Sequence, residues 1–120
     1  MAIVQINIMK SKLTFLLALT FLFLFSSVVF GDDFQDFQDG LDAQDRGDYK
    51  EAVRLFLPLA EQGYPKAQNN LGVMYYHGQG VPQDYKEAVK WYRLSAKQGE
   101  ALAQFNLGVM YYNGQGVQRN

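Results

Sequence analysis

The sequence predicts an all-α fold, a superhelical solenoid of about five helices stacked as antiparallel pairs. Three observations carry this. A block of 36 residues returns without a gap. Inside each block the apolar residues recur at helical spacing, and no stretch alternates with the period of a strand. Helix-start carboxylates and helix-end glycines fall at the same places in both copies.

The repeat is direct. Asp48-Tyr49-Lys50-Glu51-Ala52-Val53 returns as Asp84-Tyr85-Lys86-Glu87-Ala88-Val89, and the heptapeptide Asn70 to Tyr76 returns unchanged as Asn106 to Tyr112. Gly78-Gln79-Gly80-Val81 returns as Gly114-Gln115-Gly116-Val117. Across Asp48–Gln83 and Asp84–Arg119, 22 of 36 positions are identical, a level chance does not reach. A period of this length is the mark of a stacked repeat architecture.

Each block reads as two helices. Tyr49, Ala52, Val53, Phe56 and Ala60 form one apolar face, as do Tyr85, Ala88, Val89, Tyr92 and Ala96. Asp48 and Asp84 stand at the N-cap, with Glu51 and Glu87 three residues on, the spacing of a capping box. Gly63 and Gly99 follow the far ends, where a left-handed residue closes a helix. The partner helices carry Ala67, Leu71, Met74 and Tyr75, then Ala103, Leu107, Met110 and Tyr111, and end at Gly78 and Gly114. Gly72 and Gly108 lie inside these helices at a cost of about 1 kcal/mol each, which a close helix crossing offsets; the expected neighbour of Gly72 is Ala88. The expected helices span 33–46, 49–62, 65–77, 85–98 and 101–113.

The start of the chain reads differently. Met9-Lys10-Ser11-Lys12 is a short basic stretch, Leu13 to Phe25 carries no charge, and small residues from Ser26 to Gly31 precede Asp32-Asp33. That order is a secretory signal peptide, with cleavage after Gly31; it reads best from a start at Met9. The alternative is an uncleaved membrane anchor, since Leu13 to Phe30 approaches spanning length. The organisation is then a leader at 1–31 and a repeat domain at 32–120: an N-terminal helix at 32–47, repeat one at 48–83, repeat two at 84–119, and an incomplete final helix pair. Asn120 aligns with the N-cap positions Asp48 and Asp84.

Composition narrows the function. The formal charge is −1, and removing Lys10 and Lys12 with the leader makes it −3, which argues against a nucleic-acid surface. No cysteine is present, so the exported domain relies on packing alone and thiolate metal sites are excluded.

The pattern Ala67…Asn70-Leu71-Gly72…Tyr75…Gly78-Gln79-Gly80-Val81…Asp84-Tyr85…Ala88…Trp91…Ala96…Gln98-Gly99 resembles the Sel-one-like repeat (SLR) family, relatives of the tetratricopeptide repeat. The resemblance runs from Asp48 to Arg119. Phe37…Gly40…Gly47-Asp48-Tyr49 is closer to a tetratricopeptide unit, its inter-helix loop being four residues shorter. The resemblance implies a stacked helix-hairpin fold and an adaptor that assembles other proteins. Exported members with one disulfide per repeat also exist in that family; this chain lacks those cysteines, so their activities are not carried over.

Each residue group that could carry chemistry also has a plainer role. Seven aspartates fall between Asp32 and Asp48, but without the alternate spacing and closing glutamate of a calcium loop; they read as a solvated helix face. Arg46-Gly47-Asp48 spells a receptor-recognition tripeptide, yet Gly47 ends one helix and Asp48 caps the next. His77 is the one histidine and aligns with Asn113, a polar helix end. Gly78-Gln79-Gly80 lacks the lysine and hydroxyl of a phosphate loop. Ser95 is the one serine after the leader, and it aligns with the packing position Leu59. No catalytic residue, metal site or cofactor is expected.

By resemblance to tetratricopeptide geometry, the first helix of each pair lines a concave groove. This selects Lys66, Asn69, Val73, Tyr76 and His77, then Leu102, Phe105, Val109, Tyr112 and Asn113. Lys66/Leu102, Asn69/Phe105 and His77/Asn113 differ between copies, and the second set is the more apolar. Tyr75, Tyr111 and Tyr92 are expected in the core.

The expected function is a non-catalytic protein–protein interaction scaffold or adaptor, exported to the periplasm or secreted. Its partners are other proteins or peptides, with a homodimer through the uncapped C-terminal helix, no nucleic acid, and membrane contact only if the leader is uncleaved. The alternatives are a cell-wall-directed hydrolase, or a truncated fragment of a longer repeat protein with no independent function.

Overall fold

The computed structural model describes residues 1–119, with side chains described outside residues 25–31. Asn120, and its proposed alignment with the N-caps, lies outside the described residues. Five helices occur among them: α1 (Ala2–Asp45), α2 (Tyr49–Glu61), α3 (Pro65–His77), α4 (Tyr85–Lys97) and α5 (Ala101–Asn113). The last four match the sequence-based helices to within a residue at each end. The chain divides into two units, Met1–Phe34 and Gln35–Asn120.

From Ala2 onward the first unit belongs to α1. The first expected helix begins at residue 33, whereas α1 begins at Ala2. The reason is local: no proline lies before Pro58 and no glycine before Gly31, so nothing in the leader breaks a helix. Ala2–Leu24 is long and apolar enough to cross a membrane, a test that a signal sequence near the N-terminus also passes. Phe15, Leu17 and Phe23 are exposed, on different faces of the helix, as befits a segment suited to an apolar surrounding rather than to a core stripe. The expected cleavage point after Gly31 falls among residues whose side chains are outside the described set.

In the second unit, helices α2 to α5 pack in sequence order. The first core joins Phe37 and Ala43 of α1, Ala52, Phe56, Leu59 and Ala60 of α2, Ala67, Leu71 and Met74 of α3, and Trp91 of α4. The Phe37 ring lies 5.7 Å from Phe56 and meets Tyr64 edge-on at 5.1 Å. A second core gathers Ala88, Val89 and Tyr92 of α4 with Met110 of α5. Tyr92 is buried as expected; Tyr75 and Tyr111 are only partly so.

The helix ends follow the sequence signals, with one difference. Asp84 accepts hydrogen bonds from the backbone N–H of Lys86 at 3.0 Å and Glu87 at 3.1 Å, and Asp48 accepts one from Glu51 at 3.3 Å. The glutamates do not reach back to complete a capping box. Glu51 instead receives Nε and Nη2 of Arg54 at 2.7 and 2.6 Å, and Glu87 pairs with Lys90 at 2.6 Å. A cation one turn ahead competes for the carboxylate and wins, because a charge-assisted bond outweighs one to a neutral amide. Pro58 sits inside α2 on its exposed side, where the lost N–H is not a buried one.

The long loops are pinned by glycine. Gly80 and Gly116 have φ of +71° and +67°, and a Cβ at either would strike the carbonyl of Tyr49 or Tyr85. Each loop therefore lies against the start of the helix one pair earlier in the chain, α2 for Gly80 and α4 for Gly116, and Val81 and Val117 join the two cores. This seating is why Gly80 and Gly116 recur, while Gly78 and Gly114 recur as the left-handed C-caps of α3 and α5.

The close crossing expected at Gly72 is present, but its main neighbour is different. A Cβ there would lie 2.7 Å from two ring atoms of Tyr92, with the carbonyl oxygen of Ala88 next at 3.3 Å. The missing side chain makes room for an aromatic ring rather than for a methyl group, since Tyr92 lies one turn beyond Ala88 on the same face of α4.

Candidate functional site

Helices α3 and α5 are equivalent helices one repeat apart, and between them opens a cavity of about 180 Å³. Val73, Tyr76 and His77 line one wall, Phe105, Asn106 and Val109 the other, and Tyr92 and Met110 complete the lining. The spacing explains the walls. Val73 and Tyr76, and Phe105 and Val109, are three and four residues apart, so each pair shares a helix face. Met110 and Tyr92 are buried and form the floor.

Tyr76 is held in place from several sides. Its ring lies 5.3 Å from Tyr85 and meets His77 edge-on at 4.9 Å, and its hydroxyl lies 3.4 Å from Oε1 of Gln115. Its backbone carbonyl accepts from Gln83 Nε2 at 2.9 Å. The Tyr92 phenol is pushed well above its ordinary pKa, first by burial and then by the neighbouring Tyr76. The floor therefore stays uncharged across the physiological range.

The remaining groove residues take other places. Asn69 is buried, and its Oδ1 accepts from Asn106 Nδ2 at 3.1 Å, a bond that ties α3 to α5. Leu102, Phe105 and Tyr112 stand 62, 69 and 74% exposed along α5, an apolar rim continuous with the cavity at Phe105. Arg119 lies over the Tyr112 ring at 5.9 Å. Lys66 and Asn113 are exposed, and Asn113 donates to Gln115 at 3.3 Å. The structure thus brings Val73, Tyr76, His77, Phe105 and Val109 into one cavity, uses Asn69 as a tie, and leaves Lys66, Leu102, Tyr112 and Asn113 outside the lining.

Tyr92, Asn106 and Met110 were not selected from the sequence. Tyr92 and Met110 carry the spacing of core residues, and they are core; the cavity reaches down to them. Asn106 repeats Asn70 unchanged, which reads as scaffold.

Ser95 is committed to structure. It is buried, and its hydroxyl donates to the carbonyl of Pro65 at 2.7 Å, fastening α4 to the start of α3. Gln98 adds to that junction with bonds to Gly63 at 3.0 Å and Gln68 at 2.9 Å. His77 is exposed at a helix end against Tyr76. The apolar walls and amide ties suit side-chain recognition rather than proton transfer.

The Sel1 repeat family model matches residues 37–64, 65–100 and 101–120. This chain belongs to the Sel1 repeat family. The family's units begin at the first helix of each pair, so the same period is cut after residues 64 and 100. The fold agrees with solved relatives. A Sel1 repeat protein from Oxalobacter formigenes is 35% identical with a TM-score of 0.66, over 71% of this chain and 34% of that one. A protective antigen of uropathogenic Escherichia coli displaying an SLR fold is 41% identical with a TM-score of 0.68, over 73% of this chain and 20% of that one. An uncharacterized protein of Neisseria meningitidis serogroup B is 53% identical over 34 residues, 28% of this chain and 7% of that protein. The chain thus spans about a third and a fifth of the two solved relatives. Sel1 repeat proteins generally mediate protein–protein interactions on a scaffold that is typically non-catalytic.

Proposed function

We propose that this chain is an exported, non-catalytic adaptor that captures a peptide or helix of another protein in the groove between α3 and α5. The observation that carries this is the cavity itself. Two apolar walls one repeat apart, Val73 with Tyr76 and Phe105 with Val109, enclose a buried floor, and the exposed Leu102 and Tyr112 extend the apolar surface along α5. Such a groove seats an apolar anchor of a partner while amides at its edge fix the backbone. The reading places a leader at 1–31 and the binding module at 32–120. The order of basic, apolar and small residues supports export, to the periplasm or beyond, and the apolar stretch Ala2–Leu24 is compatible with it.

The test is capture by the expressed chain, wild type against Phe105→Ala and Tyr112→Ala, with bound proteins identified by mass spectrometry. Loss of a hot-spot aromatic costs about 2 kcal/mol or more, a drop in affinity of roughly thirtyfold. Unchanged capture by both variants sinks the groove. N-terminal sequencing of the exported product should begin at Asp32; a product that retains Leu13 to Phe25 is membrane-anchored instead.

A second docking surface lies at the far face of α5. A Cβ at Gly108 would meet nothing within 4 Å, while the equivalent position in α3, Gly72, is pressed by Tyr92. Leu107 is likewise only partly buried, whereas Leu71 is wholly so. Another copy of this chain is the partner proposed for this end.

A further inference from the structure

We propose that copies of this chain associate head to tail, the acidic first helix of one copy docking on the basic face of α4 in the next. This rests on the reading that a second copy is a partner of this chain, and it places that copy on α4 where Arg93 is bonded to α5.

The basic surface is a stripe. Lys86, Lys90, Arg93 and Lys97 follow one another at four, three and four residues, so they share one face of α4. All four are exposed. They line a shallow groove of about 400 Å³ together with Val89, Leu94 and Gly116. Arg93 is set at its edge by a 2.6 Å bond from Nη2 to the Tyr111 hydroxyl of α5. Only Glu87 opposes them within the helix, and it is paired with Lys90.

The comparison of copies singles this stripe out. Lys86 and Lys90 repeat Lys50 and Arg54, but Arg93 and Lys97 stand where the earlier copy has Leu57 and Glu61. The fold is built in both copies, so it does not require these two cations. Their presence doubles the basic charge of the face and removes an acid.

The complementary surface is in the same chain. Within Gln35–Asp45 the charged residues are Asp36, Asp39, Asp42 and Asp45, with no cation among them. All four are exposed, and Asp39 and Asp42 flank a cleft of about 220 Å³ with Arg46, Glu51 and Leu55. Among the described residues the ion pairs are Arg54–Glu51 and Lys90–Glu87, each within its own helix. Neither charged face is neutralised by the other within one copy. At 1.5 Å per residue, Lys86 to Arg93 spans about 10 Å and Asp36 to Asp42 about 9 Å, so the rows match in length. Because the two surfaces differ, the contact is heterologous and leaves a free acidic and a free basic face on every dimer. Opposite potentials set both partner choice and orientation.

The test is sedimentation velocity of the full chain in a non-ionic detergent at low and high salt. Two triple variants accompany it, Lys86→Glu/Lys90→Glu/Arg93→Glu and Asp36→Lys/Asp39→Lys/Asp42→Lys. Circular dichroism confirms that both keep wild-type helicity, as expected for exposed positions. Wild type should self-associate at 50 mM salt and dissociate at least tenfold more readily at 500 mM. Each variant alone should stay monomeric, and an equimolar mixture should associate again, since one presents two acidic faces and the other two basic ones. Self-association that ignores salt and both reversals overturns the charged pairing while leaving a second copy at the α5 end. A wild type monomeric throughout overturns both. A monomeric wild type that binds a foreign acidic peptide through α4 replaces the second copy with another partner and so also overturns the proposal.

Discussion

Gly72 and Gly108 sit in identical heptapeptides, Asn-Leu-Gly-Val-Met-Tyr-Tyr, and face different surroundings. At Gly72 a methyl group would enter the Tyr92 ring; at Gly108 it would meet open space. Alanine gains about 1 kcal/mol over glycine in a helix interior, whereas overpacking costs about 1–3 kcal/mol. Gly72→Ala should therefore destabilise the chain by up to about 2 kcal/mol. Gly108→Ala should stabilise it by up to about 1 kcal/mol. Urea unfolding followed at 222 nm checks both, and equal effects at the two sites would remove the Tyr92 crossing as the reason for Gly72. Gly72 was legible as a close approach, because an interior helical glycine asks for one. Which atom approaches was not: Ala88 and Tyr92 share a face of α4, and only packing distinguishes them.

At the scale of the helix, the caps have unequal strength. Asp84 satisfies two backbone donors of α4 at 3.0 and 3.1 Å, while Asp48 satisfies one of α2 at 3.3 Å. Removing an N-cap acid costs about 1 kcal/mol. Asp84→Ala should cost near that value and Asp48→Ala less, by the same unfolding measurement; the reverse order would contradict the bond geometry. The caps were readable because an N-cap acts over three residues and its signal lies in adjacent sequence. The reciprocal glutamate bonds were not, since Arg54 and Lys90 offered nearer charged partners. The start of α1 is not legible in the sequence for a different reason: a targeting segment and a helix obey the same local propensities, so composition alone does not separate them.

At the scale of the whole molecule, Tyr92, buried against Gly72 of α3, contributes a pH response at the alkaline end. An unfolded tyrosine titrates near pH 10, and burial holds the folded Tyr92 above that. Below pH 10 both states keep the proton and this group contributes no pH dependence. Above it the unfolded chain releases the proton first, so stability falls as pH rises. Unfolding midpoints between pH 8 and 12 should decline more steeply for wild type than for Tyr92→Phe. Parallel profiles would mean that the phenol is not held in its neutral form by the fold.

The repeat period, the helix number and the ends of α2 to α5 were determined by the sequence alone, because period, caps and glycine turns act over a few residues and recur in register. Five of the ten expected groove residues, Val73, Tyr76, His77, Phe105 and Val109, also line the cavity, since side-chain direction on a helix follows from spacing. The tertiary structure decided the rest. It buried Asn69 in a tie to Asn106 and brought Tyr92 beneath the groove. Those outcomes depend on which surfaces of different helices meet, and a period that is identical in both copies carries no information about what lies across from each.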